Sequence, residues 1–219
     1  MKIDEIDRAV EILREEYKTF PVPYVTEVAA EKKRSPYKVL VSCILSLRTK
    51  DSTTREASER LFKIAPTPER LARLEVEVIE RAIYPAGFYR VKAGTLKEVG
   101  RVLVEERGSK VPDTIEGLLE LKGVGRKTAN LVVTMGYNKP GICVDVHVHR
   151  ITNRWGYVRT KSPDSTEMAL RKKLPEKHWA DINDLLVAYG QNLCRPVSPY
   201  CSECKLYGMC NRVGVKKRR

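Results

Sequence analysis

Apolar positions recur at helical spacing along nearly the whole chain. Ile3, Ile6, Ala9, Val10, Leu13 and Tyr17 form one stripe and predict an opening amphipathic helix. Ser35-Pro36 joins a capping hydroxyl to a first-turn proline. Residues 39–47 after it are apolar almost all round, as in a helix sunk in a core. Thr67-Pro68-Glu69 repeats the start signal ahead of Leu71, Ala72 and Leu74. Further helices are predicted over 75–83, 89–107, 126–135, 147–155, 166–174 and 181–193. Asp113 with Glu116 reads as a capping box before Leu118, Leu119 and Leu121. Strand-type alternation is missing, and so are tandem repeats and low-complexity linkers. The fold class expected is all-α, with short loops punctuated by Gly and Pro.

Charge narrows the choice of partner. The 219 residues hold 41 Lys plus Arg against 28 Asp plus Glu, a net +13 that attracts polyanions over long range. Arg212, Lys216, Lys217, Arg218 and Arg219 supply five of these charges, so the body of the chain keeps an excess of eight. Nucleic acid is the partner class this favours over a merely solvated basic surface. No apolar run approaches the roughly 20 residues of a membrane span, so no membrane partner is expected. The start, MKIDEIDRAV, lacks the apolar centre of a secretion signal, and intracellular residence is expected.

The stretch 118–135, LLELKGVGRKTANLVVTM, sets Gly123-Val124-Gly125 between two apolar helices. Glycines allow a sharp turn and leave N–H groups uncovered where the second helix begins, a natural place for a phosphate. The pattern reads as a helix–hairpin–helix that grips the DNA backbone through Gly123, Val124, Gly125 and Arg126. The plainer alternative is a helical hairpin closed by glycines. Lys127 falls in the first turn of the second helix, where a cation opposes the macrodipole. That placement favours a neutral amine, which a Schiff-base nucleophile needs; a phosphate-binding lysine is the competing reading. Asp145, between apolar residues in CVDVHVHR, stands where it would cap the next helix. A partly buried carboxylate there also suits proton transfer or stabilisation of positive charge.

Four of six cysteines crowd together with the spacing Cys194-x6-Cys201-x2-Cys204-x5-Cys210. In an intracellular chain such a cluster reads as metal binding before disulfide bonding. A Cys₄ set suits zinc or a [4Fe–4S] cluster, and spacing alone leaves both open. Lys205 inside this loop is placed to meet DNA phosphates. Cys43 and Cys143 read as core thiols, His147 and His149 as structural residues.

The pattern L-x-G-V-G-[RK]-K-T-A followed by V-D-x-H-x-x-R resembles the endonuclease III family, one of the helix–hairpin–helix glycosylases. The similarity runs from about residue 25 to residue 210. It implies a six-helix domain over 27–139 containing the hairpin (about 113–135). A second domain, 1–26 with 140–219, would carry a [4Fe–4S] cluster, with the DNA cleft between the two. The lysine matching Lys127 attacks the sugar C1′, and the aspartate matching Asp145 assists. Cys194, Cys201, Cys204 and Cys210 match the cluster loop, which favours iron–sulfur over zinc. Arg48 stands where the family commonly has a glutamine that enters the gap left by the flipped nucleotide; a solvated arginine is the alternative. Phe88 matches a wedge residue beside the extruded base, or else a core residue.

The resemblance implies a bifunctional DNA glycosylase and abasic-site lyase of base excision repair, acting on oxidised pyrimidines. Its partner is double-stranded DNA with damaged bases or abasic sites; the expected state is a monomer in a prokaryotic cytoplasm, associated with the nucleoid. Two rivals compete with this reading. One is a monofunctional mismatch glycosylase of the same superfamily, which generally lacks a lysine at 127. The other is a non-enzymatic DNA-binding module with structural zinc, which would leave Lys127 and Asp145 without joint purpose.

Overall fold

The structure is a computed structural model that describes residues 1–20, 24–30 and 35–219. All regular structure among the described residues is helical: α1 (Ile6–Tyr17), α2 (Tyr24–Ala29), α3 (Pro36–Ser46), α4 (Asp51–Ile64), α5 (Pro68–Arg73), α6 (Val76–Ile83), α7 (Tyr89–Arg107), α8 (Ile115–Leu119), α9 (Arg126–Leu131), α10 (Val146–Arg154), α11 (Pro163–Lys173) and α12 (Ile182–Asn192). None of these helices is long and apolar enough to cross a membrane. The chain divides into two compact units, Val22–Lys139 and Met1–Pro21 with Pro140–Arg219.

The first of these units, 22–139, is organised around α3. Tyr37 and residues 39–45 are all buried along that helix, and α2, α4, α7, α9 and the turn after α9 pack against it. Its start is fixed by Ser35, whose hydroxyl accepts from the Lys38 N–H at 3.3 Å, with Pro36 opening the first turn. Leu40 is wholly buried, so truncating it to Ala costs about 2–5 kcal/mol. The predicted helix over 89–107 is α7, and it packs on α5 and α6. Thr67 caps α5 from the expected place.

Three local expectations give way to the structure. The cap of α8 is Thr114, whose hydroxyl accepts from Gly117 N–H at 3.2 Å. Asp113, one residue too early for that geometry, pairs with Lys139 at 2.5 Å instead. The helix expected to run from 126 to 135 leaves α geometry at Val132 and continues as a π-helical turn to Gly136. Thr134 lies in that turn and donates its hydroxyl to the carbonyls of Asn130 and Leu131, a back-bond that competes with the regular ladder. Ile3 precedes α1 and is exposed, so the opening stripe begins at Ile6.

The other unit, 1–21 with 140–219, has its own core. Ile6, Ala9, Val10 and Leu13 of α1 join Val148, Ile151 and Trp155 of α10 and Leu186 and Tyr189 of α12. Arg14 and Asp181 bridge α1 to the start of α12 at 2.7 Å. After α12 the chain runs without further helix through the four cysteines to residue 219.

Candidate functional site

The hairpin between α8 and α9 turns at Gly123, whose φ of +79° lies in the left-handed region that suits glycine. A Cβ there would also come within 2.6 Å of the Thr95 methyl. Leu118, Leu121, Val124 and Ala129 are buried and fix the hairpin to the core, while Gly123 and Gly125 stay exposed. Gly125 caps α9 with no side chain, and nothing lies within 4 Å of where its Cβ would stand. The first turn of α9 therefore faces an open approach. Arg126, half-buried, and Lys127, exposed, are its first two residues.

In the other unit, Asp145 caps α10. One carboxylate oxygen accepts from His147 N–H at 2.8 Å and Val148 N–H at 3.0 Å, and the side chain is mostly buried. The capping reading is therefore realised in the fold. His147 and His149 serve packing and hydrogen bonding: Arg150 donates to His147 Nδ1 at 3.1 Å, and His149 Nδ1 meets the Thr166 hydroxyl at 2.7 Å.

Cys194, Cys201, Cys204 and Cys210 line one small pocket with Trp155, Tyr189 and Arg154, and none forms a disulfide. Donors point at the sulfurs. Arg154 reaches Cys194 Sγ at 3.3 Å, the Tyr189 hydroxyl meets Cys204 Sγ at 3.2 Å, and Arg212 N–H donates to Cys210 Sγ at 3.4 Å. Burial pushes the Cys204 and Cys210 thiols up. Among the described residues, no three Cys, His, Asp or Glu side chains are grouped closely enough to hold a single metal ion. Cys43 and Cys143 are buried, as expected of core thiols.

Two arginines missed in the sequence build this loop. Arg150 donates to the carbonyls of Gly190 (3.2 Å) and Cys194 (2.9 Å). Arg154 donates to the carbonyls of Arg195 (2.7 Å) and Pro196 (2.6 Å). Their i, i+4 spacing puts both on one face of α10, the one signal that could have exposed them. Around the loop, Arg212 and Arg218 stack on Tyr207, and Arg195 and Arg219 on Tyr200. Lys205 is exposed, but its ammonium is paired with Glu16 at 2.5 Å.

Arg48 and Phe88 fall on two loops of the 22–139 unit that meet. Arg48 follows α3 with φ +51°, and Phe88 precedes α7 with φ +58°. Phe88 is 61% exposed, which removes it from the core, and the Arg48 guanidinium lies 5.5 Å from the centre of its ring.

Known proteins agree with this arrangement. Residues 41–176 match the model of the HhH-GPD superfamily base excision DNA repair proteins. The chain is 46% identical to endonuclease III of Thermotoga maritima over 200 residues, 91% of either chain. It is 41% identical to the endonuclease III-like protein 1 of Gallus gallus, over 80% of this chain and 63% of that one. An endonuclease III trapped as a covalent intermediate with DNA superposes with a TM-score of 0.84 at 28% identity, over 97% of both chains. The chain thus belongs to the endonuclease III family, within the HhH-GPD superfamily of base excision DNA repair proteins.

Proposed function

We propose that the chain is a bifunctional DNA glycosylase and abasic-site lyase whose nucleophile is Lys127, acting on double-stranded DNA with oxidised pyrimidines or abasic sites. The observation that carries this is an exposed lysine in the first turn of α9, directly after the uncapped Gly123-Val124-Gly125 turn, in a chain of this family. The amine attacks C1′ of an extruded nucleotide, and the N-glycosidic electron pair leaves with the base. Loss of a proton from the attacking nitrogen gives a Schiff base at C1′. The C2′ proton is then acidic; its removal expels the 3′ phosphate by β-elimination, and water later frees the lysine. Asp145 supplies negative charge while C1′ becomes electron-poor. The backbone around Gly123, Val124 and Gly125, with Arg126, holds DNA phosphate without reading sequence.

Cys194, Cys201, Cys204 and Cys210 fit a [4Fe–4S] cluster. They are four thiols around one pocket, too spread for a single ion, with a donor aimed at three of the sulfurs. Bound there, the cluster would cross-link the loop 194–210, which is otherwise held only by α10 and its own turns. Lys205 can meet phosphate only by exchanging its Glu16 partner.

Borohydride reduction in the presence of abasic DNA tests the lyase. The wild-type chain should become covalently attached to DNA, and Lys127→Gln should not. Strand nicking by Lys127→Gln at the wild-type rate would remove the lysine from the mechanism.

A further inference from the structure

Lys92, on the second turn of α7, is a lysine in the interior: 6% exposed, it has no carboxylate among the contacts of its ammonium. Nζ instead donates to the Leu45 carbonyl at 2.7 Å, the Leu47 carbonyl at 2.6 Å and the Thr49 hydroxyl at 2.7 Å. Leu45 lies in the last turn of α3, and Leu47 and Thr49 bracket Arg48. The Thr49 hydroxyl also accepts from Gly87 N–H at 3.1 Å, the residue before Phe88. Gly87 is required for this approach, because a Cβ on it would stand 2.3 Å from the Arg48 carbonyl oxygen. One ammonium, one hydroxyl and one glycine thus seam two loops together.

The seam holds strain. Arg48 and Phe88 both have left-handed backbone, which costs a non-glycine residue roughly 1–2 kcal/mol. Such residues persist only where their surroundings over-determine them, and burying a cation with only neutral partners is itself costly. Neither expense improves packing, since Arg48 and Phe88 are both exposed. What the arrangement does achieve is to present a guanidinium and a phenyl ring side by side, already stacked.

We propose that Lys92 is a positioning residue that locks the Arg48 and Phe88 loops into one preassembled probe, so that both side chains enter a DNA duplex as a unit. This rests on the DNA-repair reading above for its target, but the lock itself does not. Without it, each loop would have to be ordered on the DNA, and that entropy would be taken from the binding energy.

The test uses Lys92→Met, which keeps the side chain's length and removes all three hydrogen bonds, and Thr49→Val as a milder break should the first variant fold poorly. Hydrogen exchange on the DNA-free protein should show 45–50 and 84–90 losing protection together, by at least about tenfold, while the α8–α9 hairpin keeps its own. Protection retained in either segment, or loss confined to one, overturns the lock. On DNA, kcat/KM for a lesion in duplex should fall at least about tenfold further than the rate of borohydride trapping on single-stranded abasic DNA, which offers no stack to probe. Parallel loss on both substrates would overturn the positioning role. A wild-type chain that traps no abasic DNA would refute the repair reading instead, and the exchange result would still decide the lock.

Discussion

Asp145 is asked to do two things, and the structure allows them to be separated. Its carboxylate accepts two backbone N–H groups at the start of α10, and asparagine can accept the same bonds without the charge. Asp145→Asn should therefore keep the helix start within about 0.5 kcal/mol. Asp145→Ala leaves both N–H groups without that partner, and Val148 beside them is wholly buried. A lost cap costs typically about 1 kcal/mol and up to roughly 2. In a chain of 219 residues, each kcal/mol moves Tm by about 2–4 °C, so calorimetry should show a fall of roughly 2–8 °C for Ala and about 2 °C or less for Asn. Base excision should follow the charge. Loss of one electrostatic stabiliser commonly removes about 10²–10³ in kcat, so both variants should excise an oxidised pyrimidine about a hundredfold more slowly. Single-turnover kinetics on a labelled duplex reads this directly. If Asn melts as low as Ala, the capping argument is wrong. If Asn excises within about threefold of wild type, the charge has no part in the chemistry.

Three further outcomes follow from features elsewhere in the chain. Gly87→Ala drives a Cβ against the Arg48 carbonyl and should cost about 1–3 kcal/mol; an unchanged Tm would contradict the close approach. Glu69 accepts from Ser109 and Thr67, which holds its carboxyl down at about 2. Its contribution to stability is thus complete above the ordinary glutamate range and is lost as pH falls through about 2. Melting curves of wild type and Glu69→Gln should differ at pH 6 and converge near pH 2; equal curves throughout would refute that assignment. Cys210→Ser should lower iron and acid-labile sulfide per chain well below wild type, and full content in the variant would remove Cys210 from the ligand set.

The sequence discloses elements in proportion to how apolar their inner faces are. The long helix α7 and the core helix α3 are visible because Val, Leu and Ile mark their buried positions. The fourteen-residue α4 is not, because it turns Thr54, Ala57, Ser58 and Leu61 inward, a face that is mostly small or polar. Thr114 displaces Asp113 as a cap because a cap must sit one residue before the first helical residue, and two adjacent candidates look alike in a string. At the candidate site, the hairpin glycines, Lys127, Asp145 and the four cysteines stand out by residue type and spacing. Lys92, Arg150 and Arg154 do not: lysine and arginine ordinarily read as solvated, and their partners here are carbonyl oxygens that no sequence pattern displays.

Helix α10 begins at Asp145 and ends with two guanidiniums fastened to the backbone around Cys194, so its two ends serve different tasks with one rigid rod between them. A single residue inserted after Val148 would swing the far end by about 100° and advance it about 1.5 Å. The cap and the fastening could not then both be kept. Evolution of this chain can exchange side chains along that rod but cannot alter its length, so residues 145–154 should tolerate substitution at exposed Val146 far better than any insertion or deletion.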